Sequence, residues 1–279
     1  MQRSQFSTVI VNHDTNTVVW AAERHGKDVL TQFYEQLTDE QKATIKVVTG
    51  DGARWITDCV NEFTPDCIRC VDPFHVVEWA MEALDKLRAE RWHKAVDKVK
   101  ALSNGKAKKN GRPKADDKQA AAIKAAKAEA SEIKNSRFAL GKAPEHLTES
   151  QQVKLAMIQS SDRHLYRGYL LKESLRMIFK NTDVDEAEAD LNHWLWWASH
   201  SRIPVFHDLY EKIKRHKKHI LNTIRLGLSN ARIEATNNKI KLIIRKAYGF
   251  RNIQNMLDMV YLVCSNITIP LPNRKLRNR

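Results

Sequence analysis

"FSTVIVNHDTNTVVWAA", residues 6–22, is the stretch that decides the fold class. Two runs rich in β-branched residues, 6–11 and 17–22, flank the polar cluster NHDTN, which suits a hairpin turn. The chain is therefore expected to open with two antiparallel strands. Next, KDVLTQFYEQL places Val29, Leu30, Phe33 and Leu37 on one helical face. TIKVVTGDG then reads as a third strand ending at Asp51, and after a short helical piece CIRCVDPFH reads as a fourth ending at Asp72. Strand, strand, helix, strand, helix, strand is an α/β order. From Val76 to about His219 the pattern is helical throughout, with a capping-box signature at Thr148 and Gln151 and an apolar stripe at Leu171, Leu175 and Ile178.

Composition narrows the partners. A chain of 279 residues with 42% hydrophobic residues is long enough for a core of ordinary size. Its 47 Lys and Arg against 33 Asp and Glu give a net charge of +14, which suggests a polyanionic partner, most simply nucleic acid. No apolar run approaches a membrane span and no secretion signal opens the sequence, so we expect no membrane partner and a cytoplasmic protein. Four cysteines in so long a chain make no disulfide framework. Cys67 and Cys70 have the spacing of half a zinc knuckle, but no second pair exists, and buried strand cysteines are the plainer reading.

Most of the charge sits in two places. Residues 86–114 hold eleven Lys or Arg against Glu90 and Asp97, and the centre, NGKAKKNGRPK, reads as a loop bearing Lys106, Lys108, Lys109, Arg112 and Lys114. This is either a solvated hairpin tip or an arm that contacts phosphates. The second place is SNARIEATNNKIKLIIRKAYGFRN, residues 229–252, which reads as a helix opened by Ser229 and Asn230 and closed at Gly249. It carries a single acid, Glu234, with Asn237, Asn238, Lys241 and Arg245 following on roughly the same face. An acid followed by cations on one stripe suits a divalent metal beside nucleic-acid phosphates. Asp51, between Gly50 and Gly52, is presented at a strand end where a bulky ligand can approach. Taken singly, a strand-end aspartate is commonly a turn residue and a lone helical glutamate a surface charge. DLNHWLWWASHSRI, residues 190–203, adds three tryptophans in four positions, more often core than a base-stacking platform.

Together, VVTGDGARW, DPFHVVEWAMEALDKLR, LYRGYLLKESLR and SNARIEATNNKIKLIIRKAYGFRN resemble, in the same order, the DDE transposases of bacterial insertion sequences in the ISL-three family. The resemblance covers nearly the whole chain. It implies an α/β, ribonuclease-H-like core with a large all-helical insertion, and it matches Asp51 to the second catalytic acid and Glu234 to the last. Both would be metal ligands, for Mg²⁺ or Mn²⁺. Asp72 and His75 match a D-x-x-H signature, read as supporting the site; the plainer reading is that they order the strand end. The implied partners are DNA, as transposon ends and target, and further copies of the full-length chain, in a bacterial cytoplasm at the nucleoid. The chain divides accordingly into residues 1–75, the first part of the core; 76–219, the insertion, with a basic loop at 104–114; 220–265, core helices carrying the glutamate; and 266–279, a basic tail.

One departure stands against the family pattern. The first catalytic acid belongs on a strand preceding the hairpin, and residues 6–11 already correspond to the strand after it. Asp14, the only acid before Glu23, falls in the hairpin turn. The family's N-terminal zinc-binding and helix-turn-helix portion is also not matched. The expectation is a core lacking its first strand and inactive alone. Two functions remain open: a metal-dependent DNA transposase, and a non-catalytic nucleic-acid-binding remnant of one.

Overall fold

The computed structural model describes residues 7–104, 117–228 and 231–267, with the backbone alone at 7, 104, 117 and 231–234. Two compact units emerge, residues 1–72 with 228–279, and residues 73–227.

The first unit begins with β1 (Ser7–Asn12) and β2 (Thr17–Glu23), an antiparallel hairpin with Ser7 opposite Glu23 and Asn12 opposite Thr17. Its turn is held by the Asn12 side chain, whose Oδ1 accepts from the amides of Asp14 at 2.8 Å and Thr15 at 3.2 Å, so Asp14 is a turn residue here. A register shift at Ile10/Val11 leaves Val19 unpaired on β2, which puts Val18 and Ala21 on one face and Trp20 on the other. Both faces are consequently covered. Val18 and Ala21, with Val9 and Val11, pack on Ile240 and Ile243 of α11 (Ala231–Lys246) and on Met256, Leu257, Val260 and Cys264 of α12 (Ile253–Cys264). On the opposite face Trp20 lies 5.8 Å from Phe33 of α1 (Lys27–Glu35), and Ile10 joins a core with Leu30, Tyr34 and Cys59. The outer edge of β2 is closed by Tyr261, whose hydroxyl accepts from the Ala21 amide at 2.7 Å.

A short helix that the sequence reading did not anticipate, α2 (Asp39–Thr44), is nucleated by a Thr38/Gln41 capping box. Then come β3 (Val47–Gly50), α3 (Arg54–Phe63) and β4 (Ile68–Val71). β3 and β4 pair in parallel, Val47 opposite Ile68 and Gly50 opposite Val71. Among the described residues β1 pairs only with β2 and β3 only with β4, giving two separate two-stranded sheets.

The second unit is helical: α4 (Pro73–Asn104), α5 (Asp117–Asn135), α6 (Arg137–Gly141), a 3-10 turn at Pro144–His146, α7 (Glu149–Ser161), α8 (Arg163–Ile178), α9 (Val184–Ser199) and α10 (Pro204–Arg225). α5 lays the stripe Ala126, Ala130 and Ile133, all buried, and packs along α4. α8 packs tightly on α4, because a Cβ at Gly168 would meet Leu87 Cδ2 at 2.7 Å and Phe206 Cε2 at 3.0 Å. Leu171, Leu175 and Ile178 are buried as their spacing predicts, and the Thr148 amide donates to Gln151 Oε1 at 3.1 Å. Lys172 is an unexpected core residue, 2% exposed, whose ammonium donates to the Leu140 and Lys142 carbonyls at 2.8 and 3.1 Å. Burial lowers its pKa, opposed by Glu173 Oε1 at 2.5 Å. The three tryptophans divide: Trp194 is core, its indole donating to the Leu171 carbonyl at 2.8 Å, while Trp196 is exposed. No described helix is long and apolar enough to cross a membrane.

Candidate active site

Asp51 and Asp72 are brought together by the parallel pair. Each follows the last residue of its strand, one step beyond the Gly50–Val71 pair, and the Asp72 amide donates to the Gly50 carbonyl at 2.9 Å. Neighbouring strands run about 4.8 Å apart, so two aspartates leave the sheet side by side at its carboxyl end, where ligands of open α/β sheets bind. Asp51 is exposed. Its Oδ1 accepts from the Ala53 amide at 2.8 Å, which orients the carboxylate while leaving acceptor capacity on both oxygens. Asp72 is buried, 7% exposed, and immediately precedes Pro73 at the start of α4, a junction that favours Asp followed by Pro.

Arg69 braces this strand end, and the sequence reading passed over it. Its side chain is 4% exposed inside β4, and its guanidinium donates to the carbonyls of Asp51 and Cys70, and to Val48 at 3.5 Å. Burial lowers its pKa and the Asp51 carboxylate opposes that shift. The available signal was a cation inside the otherwise apolar run CIRCV, which requires buried partners.

The remaining predicted residues are more dispersed. Asn237, Asn238, Lys241 and Arg245 are all exposed on α11, opposite the buried stripe of Thr236, Ile240 and Ile243. The helix stops as expected: Tyr248 and Gly249 take φ of +53 and +92, and the Gly249 amide donates to the Ile244 carbonyl at 2.9 Å. Glu234 is in the first turn of α11, but its side chain, like the cap residues Ser229 and Asn230, lies outside the described residues. So do Lys106, Lys108, Lys109, Arg112 and Lys114, and the tail from 268. His75, in the second unit, has Nδ1 3.0 Å from Glu78 Oε2. The basic run is helical as far as residue 104, and several of its cations find acids: Arg88 with Asp85 at 2.8 Å, Arg91 with Asp162 at 2.6 Å, Lys98 with Glu129 at 2.8 Å and Lys100 with Asp97 at 3.0 Å.

A family model described as a transposase, of the ISL3 type of DDE enzymes, matches residues 1–260. The chain belongs to this transposase family. Among curated proteins, the transposase for insertion sequence element IS1557 of Mycobacterium tuberculosis is 43% identical over 270 residues, covering 97% of this chain and 59% of that protein. The transposase for IS1001 of Bordetella parapertussis is 26% identical over 249 residues, covering 89% and 54%. The chain thus spans little more than half the length of these relatives. No solved structure matches it.

The donor chemistry of the transposase strand end fits a hard divalent cation, since Asp51 and Asp72 stand at adjoining strand ends, both are oxygen donors and Asp51 faces solvent. Among the described residues no three His, Cys, Asp or Glu side chains gather closely enough to enclose a metal ion. None of the four cysteines is in a disulfide; Cys59, Cys70 and Cys264 are buried, and burial raises the Cys59, Cys67 and Cys264 thiols.

Proposed function

We propose that this chain is the catalytic portion of a DDE-type DNA transposase, acting in cleavage and strand transfer of an insertion sequence. Its first unit is then a ribonuclease-H-like core and residues 76–219 an all-helical insertion. The observation that carries this reading is the placement of Asp51 and Asp72 at adjoining ends of the parallel strands β3 and β4. Asp51 and Glu234 are the residues that would hold Mg²⁺ or Mn²⁺, an ion that activates the attacking oxygen and stabilises the leaving one during in-line attack on a phosphodiester. Arg69 fixes the backbone on which Asp51 stands, Asp72 and His75 form the D-x-x-H signature read as supporting the site, and Lys241, Arg245 and the 106–114 lysines and arginine contact phosphates. A further acid, on a strand placed between β1 and β3, completes the site, so residues 1–279 alone neither cut nor join DNA. In the full-length protein we place transposon ends and target DNA as partners, further copies of the chain beside it, and the bacterial nucleoid as its location.

The proposed metal site sets a distance. A crystal structure is expected to place the Asp51 and Glu234 carboxylates within about 8 Å, the reach of shared or adjacent metals. A separation beyond about 15 Å overturns the assignment of both as metal ligands.

A further inference from the structure

One aromatic of the insertion is on the wrong side of its helix for a core residue. Trp196 is 59% exposed on α9, although Trp194, two positions earlier, is almost fully buried. It is not alone on that face. The rings of His193 and His200, one turn before and one turn after, stack on it at 6.2 and 4.8 Å between centroids, inclined by 28° and 25°. His200 is pinned in this pose, with Nδ1 at 2.7 Å from the Trp196 carbonyl, where it donates, and 3.0 Å from Ser199 Oγ. Both histidines are exposed, so the three rings form a preorganised, solvent-facing aromatic strip.

Charge around the strip suits an anionic partner. The acids of α9 are confined to its first half, where Glu188 pairs with Lys217 at 2.6 Å and Asp190 accepts from Asn181 at 2.8 Å. From Leu191 to His207 there is no acidic residue. At the C-terminal end of the strip, Arg202 is exposed, and Arg167 of α8 is anchored by a hydrogen bond to the Ser201 carbonyl at 3.0 Å. A flat π-surface with arginines at its C-terminal end, and with the acids of its own helix confined to the far end at Asp190 and before, is what a base and its phosphate need.

We propose that Trp196, flanked by His193 and His200, is a stacking platform for one unpaired nucleobase of bound DNA. The inference rests on the DNA-binding reading above and adds a site to it. The paired bases of a continuous duplex offer no free face to such a strip, whereas an unpaired base does. Stacking needs no particular base, so the platform confers a preference for DNA structure over sequence.

The test uses the whole chain and two synthetic duplexes, one fully paired and one carrying a single unpaired 2-aminopurine. Binding is expected to quench the 2-aminopurine. Trp196→Ala removes the quench and weakens the unpaired duplex by roughly five- to a hundredfold, with less than about a twofold change for the paired one. Trp196→Phe retains most of the preference. Thermal melting checks that this exposed substitution leaves the fold intact. Equal losses on both duplexes, or none, overturn the platform alone; failure of the wild-type chain to bind either duplex overturns the DNA reading and the platform with it. A changed sedimentation coefficient with unchanged DNA binding also overturns it, assigning the strip to a contact between copies of the chain.

Discussion

Lys172→Met isolates the polar role of one buried side chain, because methionine keeps the volume of the lysine stem and removes the ammonium. That ammonium joins the α6 end to α8: it donates to Leu140 O and Lys142 O, contacts Glu173 Oε1 at 2.5 Å, and sits 4.6 Å above the Tyr169 ring. Without it the buried Leu140 carbonyl loses its side-chain donor, at about 1–3 kcal/mol, while water can replace the donor at the less buried Lys142 carbonyl. Glu173 keeps Arg176 at 2.8 Å, so its loss is smaller than the roughly 3–5 kcal/mol typical of a carboxylate stranded outright. Relief of the desolvation that lowers the lysine pKa works the other way. The net expectation is a destabilisation of about 2–4 kcal/mol, read as a urea midpoint lower by roughly 1–2 M and a melting temperature lower by about 5–15 °C. A variant as stable as the parent, or more so, refutes the reasoning and places this cluster with the buried ion pairs that an apolar isostere replaces without loss.

Duplex DNA affinity should fall steeply with salt, and charge reversal at Lys241 and Arg245, or within residues 106–114, should flatten the slope of log affinity against log salt by about one for each phosphate that is no longer neutralised. Fluorescence anisotropy in a salt series measures it, and an unchanged slope in both variants removes these residues from the DNA surface. Glu145 gives a pH signature. A backbone hydrogen bond of its own residue, then Arg176 and Lys180, hold its pKa at about 2, below the ordinary 4.5, so its contribution is complete above about 4.5 and is lost as pH falls towards 2. Glu145→Gln should flatten that part of the acid-stability profile, and an identical profile in the variant contradicts the assignment.

What could be read from the sequence was what depends on local pattern. The apolar runs ending at Asp51 and Asp72, the Leu171/Leu175/Ile178 stripe and the Thr148 box each announce themselves within a few residues, and each is formed. Features set by distant partners were not legible. The bulge at Val19 exists because the hairpin buries both faces, against α11 and α12 on one side and α1 on the other. The cations at 91 and 98 look unopposed in sequence, yet find Asp162 and Glu129 on other helices. The tryptophan cluster divides between core and surface because α9 turns successive residues by about 100°. At the site, strand-end position revealed Asp51 and Asp72, but the bracing by Arg69 needed the carbonyls of both strands.

Strand cleavage tests the central claim most directly. Transposon-end DNA is incubated with Mg²⁺ or Mn²⁺ and either residues 1–279 or a version extended upstream with the acid-bearing segment of a longer relative. The account predicts cleavage and joining by the extended protein only, with Asp51→Ala or Glu234→Ala reducing the rate by orders of magnitude. Cleavage by residues 1–279 themselves, abolished by either substitution, would contradict it and show that another group, Asp72 foremost, completes the site.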